Sequence, residues 1–233
     1  MEWQKYYMDI MFVPCGFLIL VLYHFLLWKI TRSQPMNTTF GRDADGRRHW
    51  VPAIMKDIDN KNVVAVQTLR NLIMGTNLMS TTSILLCAGL GAIISSTYSI
   101  KKPIKESVFG AHGDFVVVLK YAIVLTMLSF SFVCLTLSTA FINQVNMLIC
   151  IPQNVKSMVT PEYLTQHLGK AMLLNIIGNR LFYTAITLQL WIFGPLLPFL
   201  SSMLMVCILY NLDYVDGARP RSSQEMDFIR NDP

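Results

Sequence analysis

The chain has 233 residues, of which 53% are hydrophobic and 14% charged, and its formal net charge is +5. Soluble domains carry about 25% charged residues, so this composition excludes an ordinary soluble globular domain. The positive charges lie in short segments between apolar runs, without a basic stripe of interleaved aromatic residues. Membrane topology and anionic lipid headgroups therefore explain them better than nucleic acid does.

Four apolar runs are long enough to cross a bilayer, which takes about 20 residues. None of them contains Asp or Glu, and none has the strict alternation of a membrane β-strand. The sequence therefore predicts an all-α fold, a multi-pass transmembrane helical bundle with four spans. The predicted spans are residues 10–28, 72–96, 115–142 and 181–210.

The first run, 10–28, lies where a signal peptide would, but its length and flanking residues differ from those of a signal peptide. It is too long, and basic residues follow it where a small-residue cleavage site would stand. We therefore interpret it as a span. The next segment, 29–70, is predicted to be a cytosolic loop with a charged turn at Asp45 and Gly46.

The charges between the runs predict which side of the membrane each segment faces. The segments 29–70 and 143–180 together carry eleven Lys and Arg, against seven in the segments on the other side. Segments rich in Lys and Arg favour the cytosol. Both segments are therefore predicted to be cytosolic, and both chain termini to lie outside.

The stretch AVQTLRNLIMGTN puts polar side chains where the second span begins, with no acidic residue among them. Each helical residue advances by about 100°, so Arg70, Asn77 and Thr81 share one face. Further along this span, small residues four apart form a pattern that lets two helices approach closely. These are Ala88, Ala92 and Ser96.

The third span is polar on two opposite faces, which predicts a central position in the bundle. Residues 161–177 are predicted to form an amphipathic interfacial helix before the last span. Thr160 can cap it, and Pro161 suits its first turn. Pro195 and Pro198 are predicted to kink the fourth span inside the membrane.

In this topology the second and fourth spans start on the side where the third one ends, so their polar groups should gather at one membrane face. Two guanidiniums, several amides and two helix N-termini, without a carboxylate, suit an anion or a lipid phosphate. They suit a metal cation badly. The predicted ligand-binding residues are Gln67, Arg70, Asn71, Asn77, Thr81, Asn143, Asn146, Asn179 and Arg180.

The alternative is that these groups only hold helices together or reach headgroups from the bundle. No Ser-His-Asp order, HExxH motif or Gly-rich phosphate loop is present, so the protein is predicted not to be an enzyme and to use no cofactor. The five cysteines lack metal-binding spacing.

Two functions remain open. The first is an oligomeric channel or carrier with a cytosolic vestibule suited to small anions. The second is a non-transporting membrane scaffold or a protein that binds lipid headgroups. We expect a homo-oligomer in contact with membrane lipids, in the plasma membrane rather than an internal one. The membrane domain is predicted to cover residues 1–215, followed by a disordered polar tail, 216–233.

Several stretches are similar to a known family: AVQTLRN, TTSILLCAGL, SSTYS, FINQVN, GNRLFY and WIFGPLLPFLSS. Together they resemble the plant branch of a membrane family catalogued as domain of unknown function 599. The resemblance covers nearly the whole chain. It implies a four-span integral membrane protein without a settled activity, and it supplies no catalytic residues.

Overall fold

The structure, a computed structural model, describes residues 2–99, 114–151 and 159–215. The described residues are almost entirely helical, which confirms the predicted all-α class for this part of the chain. The predicted disordered tail, 216–233, lies outside the described residues. The helices are α1 (Glu2–Ser33), α2 (Thr39–Lys56), α3 (Ile58–Ser99), α4 (Asp114–Leu148), α5 (Pro161–Gln189) and α6 (Leu196–Asp213).

Five of these helices are long and apolar enough to cross a membrane, which indicates an integral membrane protein. The first three predicted spans fall within α1, α3 and α4. The predicted count of four spans is not confirmed. The five membrane-length segments are Met11–Ser33, Val63–Ser96, Val117–Leu148, Pro161–Ile192 and Leu196–Asp213.

The predicted fourth span, 181–210, is divided between two helices. α5 ends at Gln189, a short 3-10 turn follows, and Pro195 is the N-cap of α6. Pro198 then falls in the first turn of α6, where backbone N–H groups have no helical partner, so a proline costs little there. The two prolines therefore begin a helix instead of kinking one.

The predicted amphipathic helix, 161–177, is not a separate element, because it forms the first half of α5. Its predicted start is confirmed. The Thr160 hydroxyl accepts a hydrogen bond from the backbone N–H of Tyr163 at 3.2 Å, and Pro161 is the first helical residue.

The predicted turn at Asp45 and Gly46 is wrong, because both residues lie inside α2. The Thr38 hydroxyl caps this helix by accepting from the Gly41 N–H at 3.3 Å. Buried apolar residues at helical spacing, Val51, Ile54 and Met55, hold α2 against the bundle. A glycine inside a helix costs only about 1 kcal/mol relative to alanine, which this burial offsets.

The described residues form three apolar clusters, of which the two larger ones are stacked along the bundle. The first packs α2 against the start of α3, the end of α4 and the start of α5, around Leu69, Ile142 and Leu164. The second joins α3, α4 and α5 further along, around Leu128 and Phe182. α3 has 42 residues, about 63 Å at 1.5 Å each, whereas the bilayer interior is about 30 Å thick. α3 is therefore longer than a single crossing of the bilayer interior requires.

α6 runs back towards the end of the bundle where α2 begins. The backbone N–H of Val215 donates to the carbonyl of Asn37 at 3.3 Å, and Thr38 pairs with Tyr214 in an isolated antiparallel bridge. The predicted topology had these two segments on opposite sides of the membrane. The additional membrane-length helix accounts for the difference.

Candidate functional site

Asp213, the last residue of α6, holds a buried charge. It is 2% exposed, and its carboxylate accepts hydrogen bonds from the guanidinium of Arg180 and from the hydroxyl of Tyr23. α1, α5 and α6 therefore meet at one carboxylate. The charge of Arg180, which was predicted to attract an anion, is already balanced within the chain.

The guanidinium of Arg180 is only partly satisfied by this pair. Its central carbon lies 5.3 Å from the centre of the Phe40 ring, at the start of α2, which is a cation–π contact. Its side chain is 15% exposed. Its Nη1 atom is buried and has no hydrogen-bond partner among the described residues.

The segment 35–41 fixes Phe40 beside Arg180. The Thr39 hydroxyl donates to the carbonyl of Leu212 at 2.7 Å, which attaches the start of α2 to the end of α6. A Cβ added to Gly41 would lie 2.0 Å from the carbonyl oxygen of Pro35, so only glycine fits this turn. Just beyond α6, burial and the neighbouring Tyr210 and Asp213 raise the pKa of Tyr214 above its usual value.

A groove of about 470 Å³ lies beside Arg180, between α1 and α5, and we call it the α1–α5 groove. Phe40 and Met127 also contribute to its wall. Several lining side chains are exposed, so the groove is open towards the surroundings, which around a membrane-spanning bundle are lipid. These are Phe17, Val21, Trp28, Leu173 and Ile177.

Three buried polar atoms in residues of this apolar groove have no hydrogen-bond partner within the described part of the chain. They are Nε2 of His24, Oγ1 of Thr31 and Nη1 of Arg180. An unmet buried donor or acceptor costs about 1–3 kcal/mol, and the interior of a bilayer offers no water to replace the missing partner. A ligand with a polar end would supply hydrogen-bond partners for these three atoms.

Other predicted site residues hold helices together. Asn77 of α3 accepts from the Thr139 hydroxyl of α4 at 3.0 Å. The Asn175 amide of α5 donates to the Thr76 hydroxyl at 2.7 Å, and Asn179 donates to Asn175 at 2.8 Å. Asn77 thus bonds between helices, whereas Asn179 bonds within α5 to Asn175, which itself reaches across to α3.

The remaining predicted residues lie away from the groove. Arg70 is exposed on α3, and no described carboxylate is within ion-pair distance of it. Asn146 is half-buried near the end of α4, and its Oδ1 atom has no partner among the described residues. The other residues in this group are exposed: Gln67, Asn71, Thr81 and Asn143.

Sequence reasoning missed Tyr23, Thr31, Phe40 and Asp213 as members of the site. Asp213 lies three residues beyond the apolar run that was predicted to end at 210. The available signal was a pair of opposite charges that flank one apolar run. An arginine lies near its start and an acid follows its end, which favours an ion pair.

Residues 11–218 match the profile of a family described as "Protein of unknown function, DUF599". The chain is a DUF599 protein. The match covers all five membrane-length helices, including Arg180 and Asp213. No curated protein and no solved structure matches this DUF599 protein, so its function is inferred from its own geometry.

Proposed function

We propose that this DUF599 protein binds an amphiphilic lipid in the α1–α5 groove. The observation that supports this is the coincidence of three unpaired buried polar atoms with an apolar wall that is open to lipid. A lipid chain would lie along the wall, and its head would meet His24, Thr31 and Arg180. A volume of about 470 Å³ is within the range of about 300–1,000 Å³ for small-molecule sites.

The polar atoms matter more than the wall for specific binding. A lipid chain that leaves the bilayer for the groove exchanges one apolar environment for another and gains little. Hydrogen bonds to the three buried polar atoms would distinguish this site from bulk lipid. The protein would therefore select its ligand by the head, with no catalytic residue and no cofactor.

The test uses Trp28, which lines the groove. Protein in nanodiscs is titrated with a single-chain lipid brominated on its chain, because bromine quenches tryptophan emission on contact. The variant Trp28→Phe isolates the emission of Trp28 from that of the other three tryptophans. A bound lipid gives quenching that saturates at a low mole fraction, whereas bulk mixing gives quenching proportional to the mole fraction.

Val21 and Leu22 offer a matched pair of variants. Both are exposed on α1, but only Val21 lines the groove. Val21→Phe should fill the groove and remove the saturable quenching, and Leu22→Phe should leave it unchanged. Quenching proportional to the mole fraction in the wild-type protein would rule out the proposed site.

A second candidate function is an anion channel or carrier formed by several copies of the chain. Exposed polar residues on the outer face of α3, Arg70 and Thr81 among them, support it, because such a face in a membrane-length helix needs water or a partner. The small residues Ala88, Ala92 and Ser96 are exposed too and could form the contact between copies.

Planar-bilayer recording tests this second function. Purified protein in asymmetric chloride, nitrate and malate should give anion-selective currents, and Ala92→Leu should weaken both assembly and current. A chain that is monomeric in native membranes, or that passes no current, would exclude it.

We further propose the plasma membrane as the location and the plant branch of the family as the origin of the chain. The resemblance of the quoted stretches to that branch supports the origin. A fluorescent fusion observed in plant cells beside plasma-membrane and internal-membrane markers would test the location.

A further inference from the structure

The head-group end of the α1–α5 groove has a defined hydrogen-bonding pattern. On the basis of the proposed function, we infer that the groove takes an uncharged lipid with one alkyl chain and a hydroxyl-bearing head, of the monoacylglycerol or long-chain alcohol class. The tautomer of His24, the charge balance of Arg180 and the size of the groove each contribute to this choice.

His24 lines the groove, and one contact fixes which of its ring nitrogens carries the hydrogen. Its Nδ1 atom lies 2.7 Å from the backbone carbonyl oxygen of Leu20. A carbonyl oxygen only accepts hydrogen bonds, so Nδ1 carries the hydrogen, and in the uncharged ring Nε2 has a lone pair instead. Nε2 is buried and has no partner among the described residues, so a ligand that reaches the uncharged ring would supply a donor.

Arg180 presents donors without an excess positive charge. Its Nη2 atom donates to the carboxylate of Asp213, and the N–H groups of Nη1 have no partner among the described residues. Because the carboxylate balances the guanidinium, an anionic ligand would bring an uncompensated negative charge into an apolar groove. The ligand must therefore supply an acceptor but does not need a charge.

A hydroxyl group meets both demands, since it donates one hydrogen bond and accepts others. Its hydrogen can bond Nε2 of His24 while its oxygen accepts from Nη1 of Arg180. The Thr31 hydroxyl, which both donates and accepts, can bond a second oxygen of a glycerol head. A phosphodiester only accepts, and its oxygens would face the lone pair of His24.

The size of the groove favours one chain. Its volume of about 470 Å³ is near the lower end of the range for small-molecule sites, about 300–1,000 Å³. The exposed lining residues allow the chain to enter sideways from the bilayer. A monoacylglycerol is the simplest lipid that combines one chain with a head of hydroxyl groups.

The experiment compares two brominated lipids of the same chain length in nanodiscs, by the quenching of Trp28. One is a monoacylglycerol, and the other is the fatty-acid methyl ester, which accepts hydrogen bonds but cannot donate them. One hydrogen bond contributes about 1 kcal/mol, so the monoacylglycerol should half-saturate at a mole fraction about fivefold lower. Unlabelled phosphatidic acid, an anionic competitor, should displace it poorly.

His24→Phe keeps an aromatic ring but removes the acceptor, so the preference for the monoacylglycerol should disappear while the ester still binds. His49→Phe is the matched control, because His49 is a solvent-exposed histidine of α2 outside the groove. The comparison of the two lipids on wild-type protein needs no substitution at His24, so it decides the question even where His24→Phe does not fold.

The outcomes separate the two proposals. Equal saturation by both lipids, or stronger binding of phosphatidic acid, would overturn the hydroxyl-bearing ligand and leave lipid binding in the groove standing. Quenching proportional to the mole fraction for every lipid would overturn lipid binding itself. A preference for the monoacylglycerol that depends on His24 supports both.

Discussion

Arg180 of α5 and Asp213 of α6 form an ion pair inside the bundle, 33 residues apart in the chain. The side chains are 15% and 3% exposed, so neither charge has much access to water. The Tyr23 hydroxyl donates to the other oxygen of the same carboxylate. The pair therefore links three helices and leaves one side of the guanidinium for the groove.

We expect Asp213→Asn to destabilise the protein by about 3–5 kcal/mol, because it leaves a buried guanidinium without its counter-charge. Unfolding of purified protein in detergent, followed by circular dichroism, measures the loss. Arg180→Met combined with Asp213→Asn should recover most of the stability, since no uncompensated charge remains.

Lys61→Gln is the control for the buried pair. Lys61 and Asp57 are 3.4 Å apart, but their side chains are 48% and 40% exposed, so this pair should contribute no more than about 1 kcal/mol. An Asp213→Asn protein as stable as Lys61→Gln would contradict the structural role of the buried pair.

Two glycines of α2 should respond in opposite directions to alanine. At Gly41 an added Cβ would lie 2.0 Å from a backbone oxygen, so Gly41→Ala should cost about 3 kcal/mol and loosen the start of α2 from α6. At Gly46 nothing lies within 4 Å, so Gly46→Ala should stabilise by up to about 1 kcal/mol. Paired thermal melts measure both, and equal effects would contradict the close packing of Gly41.

The five membrane-length helices predict that the two chain termini face opposite sides of the membrane. Outside the five membrane-length segments, the α2 side then holds nine Lys and Arg, against four on the other side, so the α2 side should be cytosolic. In a protein without its five native cysteines, cysteines at Gly46 and Ser222 should react from the cytosol. A cysteine at Ser107 should react only from the other side.

Labelling of Ser222 and Ser107 from the same side would contradict this topology and favour the four-span alternative. Membrane-impermeant and permeant thiol reagents, applied to intact and opened vesicles, make the distinction. Gly46 serves as the internal reference, since it lies in α2 and its surroundings are open.

Arg70→Gln should change the free energy of unfolding by less than about 0.5 kcal/mol, because Arg70 is exposed and has no described carboxylate partner. If the chain forms an anion pathway, the same variant should lose anion preference at unchanged stability. Melting temperature and bilayer current, measured on one preparation, test both statements. A large loss of stability would show that Arg70 stabilises the folded bundle.

Local signals in the sequence predicted local features of the fold. Three long apolar runs without acids located α1, α3 and α4, and Thr160 followed by Pro161 located the start of α5. In each case neighbouring residues alone determine the outcome, because hydropathy and capping act over a few turns. The end of α5 before Pro195 also depends on neighbouring residues. The sequence did not reveal it, because the apolar run continues across the break between the two helices.

Contacts between distant segments could not be predicted in the same way. The partner of Arg180 depends on where α6 ends, and α6 was hidden within a single predicted span. α2 was taken for a loop because its polar face dominates its composition, while its apolar residues have a surface to cover only once α5 and α3 are in place. The groove appears only when α1 and α5 are side by side.

The position of Asp213 at the very end of α6 has a consequence for biosynthesis. When Arg180 leaves the ribosome, the carboxylate that will neutralise it is still 33 residues away. Insertion of an arginine at the centre of a lone helix costs about 2.5–3.5 kcal/mol on translocon scales. α5 and α6 should therefore enter the bilayer together, as a helical hairpin in which Arg180 and Asp213 neutralise each other during insertion. A nascent chain cut off before α6 would hold its arginine at the membrane surface and become a substrate for quality control.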